Sequence, residues 1–437
     1  MRRTSRRVLC ALSLLPLVVV TAACGSSTKG AQPSASSGKG PVKVAFWGWN
    51  PAYDAAVKQF NATHTDVQIS YEKVVSGSQG GYAKMFAAVK AGNAPCLAQV
   101  GYETLPSFLV EGALQDVTSD AAPYKGAFAS GSWQQVTVGG QVYGIPVDMG
   151  PMALFYRTDL YKKFGITPET SWDQYAADAV KVHKADPKTW LTTFNPDDPW
   201  WFAGVAGQAG GNWFGTSSDA WQVSLTDPAT SKVAGYWQGL IDKGAVKVEK
   251  SFTPDLYKEF GNGTLASYAG PVWYSSILSQ NAAAAAGKWA VAPMPTWSNS
   301  TSGNDGGSST AVLKGCTHVK EALEFANWMS TDSTALTGLV KGSGIYPAAT
   351  QGDDLPVMTA GDPYFGNQKI FDVFKQSLAQ APSGWNWGPT MTQTSSDLTD
   401  AFGAATSGHT PLGAALGTVQ DKTVAEMKSK GLAVTAG

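Results

Sequence analysis

The chain has 437 residues, too many for one compact core, so two or three domains are expected. Only 15% of residues are charged, while 48 glycines and 16 tryptophans stand out, which excludes disorder over most of the length. Residues 1–23 carry four arginines and no acid; without them 28 basic residues face 33 acidic ones, a net charge of −5. No basic stripe remains to grip phosphates, which argues against nucleic acid as a partner.

Arg2, Arg3, Arg6 and Arg7 precede an apolar run that ends in small residues before Cys24. A basic start, a short apolar core and small residues are the layout of an export signal over residues 1–23. The run is too short for a comfortable transmembrane helix, which needs about 20 apolar residues. Ala22, Ala23, Cys24 and Gly25 resemble a bacterial lipobox, although Thr21 stands where leucine is preferred. That likeness implies lipidation of Cys24 as the mature N-terminus. The arginine pattern also resembles a twin-arginine signal, so export through Sec or Tat stays open. Residues 24–40, rich in Ser, Gly and Ala, read as a flexible tether that keeps the following domain at the outer face of the membrane.

Residues 41–47 read as a buried first strand, 52–61 as a helix with Tyr53, Val57 and Phe60 on one face, and 67–75 as a second strand. Strand, helix, strand opens an α/β unit with parallel pairing, and ligands bind beyond the carboxyl ends of such strands, where Trp49 and Asn50 fall. Residues 77–81 form a glycine-rich loop before a helix over 82–91; no Lys-Ser/Thr follows, so a helix cap is a better reading than a phosphate cradle. A third strand spans 97–101, with Tyr102 and Glu103 at its end. Residues 142–156 look like a strand interrupted by Gly144, Pro146, Gly150 and Pro151. Proline lacks the donor and glycine weakens pairing, so this run is expected not to be a central ladder. It reads instead as a chain leaving one sheet and entering another, a hinge with Asp148 at the break. A helix follows over 172–184. Aromatics broken by Pro and Gly over 194–202 and 210–214 show neither helical nor strand period. Residues 282–286 are five alanines with high helix propensity. A strand is expected over 310–313, and helix from 370 onward with a break at 382–389.

Residues 142–166 resemble the crossover of the family 1 extracellular solute-binding proteins, the maltose-binding-protein-like receptors of ATP-driven sugar importers. Further matches follow in the family's order. They are Ala91-Gly92-Asn93-Ala94-Pro95, with Cys96 in place of the usual aspartate; residues 111–116; residues 258–274, which carry Trp273; a second crossover over 289–297; and a helix over 321–329. The resemblance runs from about residue 41 to the C-terminus. It implies an α/β, two-lobed periplasmic-binding-protein-like fold of type II, with a ligand cleft between the lobes and three hinge crossings. The lobes are expected at 41–147 plus 291–330 and at 148–290 plus 331–437. The implied function is that of an extracellular, lipid-anchored ABC-importer receptor, which captures a sugar or oligosaccharide by hinge closure. It would then deliver the ligand to a two-subunit permease driven by a cytoplasmic ATPase. The chain itself has no Walker motif. The family implies a monomer that binds without turnover and needs no cofactor or metal. Matching positions suggest Gln79, Tyr82, Glu103, Trp273, Gly306 and Tyr346 as ligand contacts.

A pyranose stacks its apolar C–H face on aromatic rings, while its hydroxyls need carboxylates and amides at the edge. Trp49, Trp201, Trp213, Trp273, Trp385 and Trp387 stand beside Gly or Pro, or close to them, in expected loops, and Asn50, Glu103 and Asp148 supply polar edges. By residue chemistry any one of these tryptophans reads equally well as core; for Trp273 and Trp387 the resemblance to the family favours binding. Glu103 with Asp148 leaves a glycosidase pair open, since such enzymes place two carboxyls about 5–10 Å apart. A secreted carbohydrate-active enzyme and a receptor for a non-sugar polar solute are therefore the alternatives. The four histidines show no metal-ligand spacing and no Gly-x-Ser-x-Gly is present. With Cys24 acylated, Cys96 and Cys316 remain in an oxidising compartment. A disulfide between them is the natural pairing, and two free thiols are the alternative.

Overall fold

A computed structural model describes residues 40–217, 219–297, 301–382 and 384–436. The expected signal peptide, the Cys24 lipidation site and the tether up to residue 39 lie outside them. The first strand, β1 (Val42–Gly48), leads into α1 (Tyr53–Thr63), which buries Tyr53, Ala56, Val57 and Phe60 on one stripe against the sheet. Then come β2 (Val67–Lys73), α2 (Gly81–Lys90) and β3 (Leu97–Gly101). The remaining strands of the main sheet are β4 (Gly144–Arg157), β5 (Ser267–Pro271), β6 (Trp289–Ala292), β7 (Asn304–Val312) and β8 (Tyr346–Pro347). The order is β5-β4-β7-β3-β1-β2, with β6 and β8 also paired to β4. β1 pairs in parallel with β2 and β3, as the strand–helix–strand pattern requires, and every partner of β4 is antiparallel.

β4 corrects the sequence reading. The proline- and glycine-broken run is one continuous, almost wholly buried strand at the centre of the sheet. Its first half pairs with β7 and β8, and its second half with β5 and β6. The prolines are tolerated because the β7 register shifts beside them, between Asn304 and Gly307 and between Ser308 and Ser309. Their missing donors fall at these irregularities. Gly150 is required there, since a methyl group would run into the Asp305 carbonyl oxygen. β7 also begins six residues earlier than expected, its polar start hidden because partners flank it on both sides.

Among the helices, α3 (Trp172–Ala185) matches expectation, but α4 (Pro199–Gln208) occupies a stretch that showed no period. Asp198 caps it through the Trp201 N–H at 3.2 Å and Pro199 stands in its first turn. It is buried on nearly every side, so no polar face marks its turn. The five alanines form only a single tight turn, Ala283–Ala285, too short a run to propagate a helix alone. Later come α5 (Tyr274–Asn281), α6 (Val319–Thr331), α7 (Ile370–Ala379), α8 (Met391–Gly408) and α9 (Leu412–Ser429). A disulfide joins Cys96 and Cys316, whose Cα atoms are 4.5 Å apart, at the start of β3 and just past the end of β7. Trp172, Trp201, Trp213, Trp237 and Trp289 are fully buried in the core.

Candidate functional site

The loop after β1 is fixed by Gln99 in mid-β3, whose Oε1 accepts the N–H groups of Trp49 at 2.9 Å and Asn50 at 3.1 Å. Asn50 in turn uses its side-chain oxygen to accept from Ala52 N–H and the Ser343 hydroxyl, so that oxygen serves the turn. Trp49 stays half-buried and meets Tyr82 edge-on at 5.7 Å. Tyr82 donates its hydroxyl to Glu103 at 2.9 Å and accepts from Gly101 N–H at 3.0 Å. It thereby orients Glu103 from behind.

Glu103 and Asp148 are both buried, and burial dominates their titration. It pushes the Glu103 carboxyl up to about 7, against the pull of the Tyr82 hydrogen bond and with a smaller push from Asp148. Asp148 is pushed up to about 6, with two hydrogen bonds from Ser308 opposing the shift. Two further buried acids, Asp198 and Asp305, are raised by burial and then by neighbouring negative charge. Sequence reasoning missed both. The Asp198-Pro199 cap signature was visible, but Asp305 became legible only once the β7 irregularity placed it beside Gly150.

Trp273, the residue before α5, is half-buried and donates Nε1 to the Asp305 carbonyl at 3.4 Å. Gly306, with φ at +77°, lies against the same indole; a Cβ there would come 3.5 Å from Trp273 Nε1.

Gly306 also borders a cavity of about 760 Å³, within the range of small-molecule sites. Gly306, Tyr346, Trp385 and Trp387 line it, together with Tyr102 and Asn304. The Trp385 and Trp387 rings are 5.2 Å apart and cross at 73°. Ala203, Gly204 and Gly207 of α4 make room for them, and a Cβ at Gly207 would come 3.1 Å from the Trp385 ring. Tyr346 donates its hydroxyl to Asp353 at 2.6 Å, and Asp353 pairs with Lys375 at 2.8 Å on the cavity wall. Three buried polar atoms of the lining residues have no hydrogen-bond partner among the described residues: Trp385 Nε1, a donor, Asn304 Oδ1, an acceptor, and the Tyr102 hydroxyl, which can be either. Acids and cavity share a wall, since Tyr102 and Gly306 line the cavity while their chain neighbours Glu103 and Asp305 belong to the acids.

Three expected contacts fall elsewhere. Trp201 is 2% exposed and donates Nε1 to the Ala269 carbonyl, and Trp213 is fully buried with Nε1 on Thr230. Both are core residues: Trp201 because α4 is buried on nearly every side, and Trp213 because the turn after α4 packs its indole inward onto Thr230. Gln79 is exposed in the turn before α2, outside both groups. Among the described residues no group of three His, Cys, Asp or Glu side chains is placed to hold a metal ion.

Residues 47–335 match the family model of bacterial extracellular solute-binding proteins. A lactose-binding protein of Rhizobium radiobacter is 24% identical over 406 residues, covering 88% of this chain and 93% of that protein. Among solved structures, the galacto-N-biose-/lacto-N-biose I-binding protein of an ABC transporter from Bifidobacterium longum, in complex with lacto-N-biose, is 30% identical. It superposes with a TM-score of 0.83 over 91% of this chain and 99% of its own. An ABC-transporter-associated binding protein from B. animalis subsp. lactis, in complex with β-1,6-galactobiose, is 27% identical with a TM-score of 0.82, over 90% of this chain and 100% of its own. The fold is therefore the two-lobed type II arrangement that the crossover motif implied. The chain belongs to the bacterial extracellular solute-binding proteins.

Proposed function

We propose that the protein captures a sugar or oligosaccharide and delivers it to the permease of an ABC importer. One observation carries the reading: two crossed indoles, Trp385 and Trp387, form part of a cavity wall whose residues also carry three unpartnered polar atoms, the Trp385 N–H, the Asn304 side-chain oxygen and the Tyr102 hydroxyl. A sugar hydroxyl is donor and acceptor at once, and its ring offers an apolar face, so one ligand class meets all of these demands. The relatives that bind lactose, lacto-N-biose and β-1,6-galactobiose support the same class. Trp273, Trp49, Glu103 and Asp148 extend the site across the shared wall.

Capture works by hinge closure. The lobes are residues 41–147 plus 291–330 and residues 148–290 plus 331–437, and β4 carries the chain from one to the other. Only in the closed state do both lobes touch the ligand, so its binding energy shifts the population toward closure. The closed form docks on a two-subunit permease driven by a cytoplasmic ATPase, and the receptor acts as a monomer. Acylated Cys24 and the tether hold it at the outer face of the membrane after export. No helix among the described residues is long and apolar enough to cross a membrane.

Calorimetric titration with lactose, lacto-N-biose, β-1,6-galactobiose and a set of monosaccharides, with spermidine and phosphate as non-sugar controls, tests the proposal. Saturable binding of a sugar without product formation is the expected result. Binding confined to the non-sugar solutes would overturn it, and appearance of hydrolysis products would turn the raised Glu103 carboxyl and Asp148 into a catalytic pair.

A further inference from the structure

Among the described residues, three other than glycine adopt a positive φ: Phe252 at +54°, Asn367 at +64° and His409 at +55°. Asparagine and histidine tolerate this region, and His409 closes the end of α8. Phe252 has neither excuse. A bulky aromatic in the left-handed region is strained, and such strain persists only where the surroundings dictate it.

The surroundings here are fixed on both sides. Asp197 accepts Ser251 N–H at 2.8 Å, and Asn195 donates its amide to the Glu249 carbonyl at 2.9 Å. On the other side, the Thr253 hydroxyl caps the helix Pro254–Asn262 by accepting Leu256 N–H at 3.2 Å. Between these anchors the half-buried Phe252 ring lies 6.1 Å from the Trp273 ring, inclined by 31°. The Trp273 indole is held at its nitrogen by the Asp305 carbonyl and lies beside Gly306, at the cavity wall. It thus has a polar restraint at one point and an aromatic neighbour at another.

We propose that Phe252 is a positioning residue, whose strained backbone sets its ring against the Trp273 indole and so fixes that indole as a plate for the sugar. The inference rests on the reading of Trp273 as part of a sugar site. It assigns a role to a residue that does not itself line the cavity.

The test is a double-mutant cycle on the exported domain, titrated with lactose, lacto-N-biose and β-1,6-galactobiose. Phe252→Asn adopts the backbone region readily, and Phe252→Gly, which takes it without strain, provides the same comparison should the asparagine variant fail to fold. Either variant is expected to lower sugar affinity about fivefold or more while its far-ultraviolet circular dichroism stays native; Phe252→Tyr should restore binding to within about twofold. In a Trp273→Ala background the same substitution is expected to change affinity by less than about twofold, because the residue it positions is gone. Native affinity in Phe252→Asn, or effects that simply multiply with Trp273→Ala, would overturn the inference and leave the sugar site standing. Failure of the native chain to bind any of the three sugars would remove both.

Discussion

Ser308 places its backbone N–H and its hydroxyl on the same oxygen of Asp148, at 2.8 and 2.7 Å. One carboxylate oxygen is thereby committed to joining β4 to β7, and the other is free of that duty. The pairing holds a buried acid within β4.

Asp148→Asn should retain both Ser308 hydrogen bonds, because the amide oxygen accepts as the carboxylate did. Stability at pH 7 is expected to rise relative to the native chain, on the order of 3 kcal/mol, because the amide carries none of the burial cost that lifts the Asp148 carboxyl to about 6. Sugar affinity should fall about tenfold, or roughly 1.4 kcal/mol. Urea unfolding and calorimetric titration measure the two effects, and a large stability loss with native affinity would make Asp148 purely structural.

Glu103 predicts a pH dependence of stability. Its folded-state carboxyl is raised to about 7 from an ordinary value of 4.5, so the native state holds a proton that the unfolded state releases. The contribution is fully present below about pH 4.5 and is lost as pH rises through 7, on the order of 3 kcal/mol in all. Glu103→Gln removes this slope, so its stability relative to the native chain should climb between pH 5 and 8. A parallel pH profile for the two proteins would place the titration elsewhere.

The Cys96–Cys316 bridge closes a loop with a sequence separation of 220. Reduction, or Cys96→Ser with Cys316→Ser, should cost about 2–5 kcal/mol in guanidinium unfolding. Sugar affinity should not change, because the bridge sits at the start of β3 and the acids lie past its other end. Weakened binding without lost stability would contradict that separation.

Trp387→Ala and Trp213→Ala should behave in opposite ways. The first removes a half-buried ring from the cavity and is expected to cost about tenfold in affinity with little change in thermal midpoint. The second empties a core position and should cost about 3–5 kcal/mol of stability. Equal destabilisation by both would return Trp387 to the core.

The pattern of residues determined the architecture on its own: an apolar β1, the stripe of α1, the strand–helix–strand order and the crossover motif lead to parallel pairing and two lobes. It also proposed Glu103, Asp148, Trp273, Trp385 and Trp387 as ligand contacts, because indoles and polar edges beside turn residues suit a sugar and because the family resemblance matches Glu103, Trp273 and Trp387. Tertiary structure decided the rest. Pro146 and Pro151 sit in a central strand because β7 slips register beside them, a long-range fact that no local propensity records. Trp201 went to the core because α4 is buried on nearly every side, which erases the amphipathic signal that would have identified it, and Trp213 because the turn beyond α4 seats its indole on Thr230. Asp305 and Phe252 drew no attention in one dimension, since their meaning lies in what a distant strand and a distant loop bring against them.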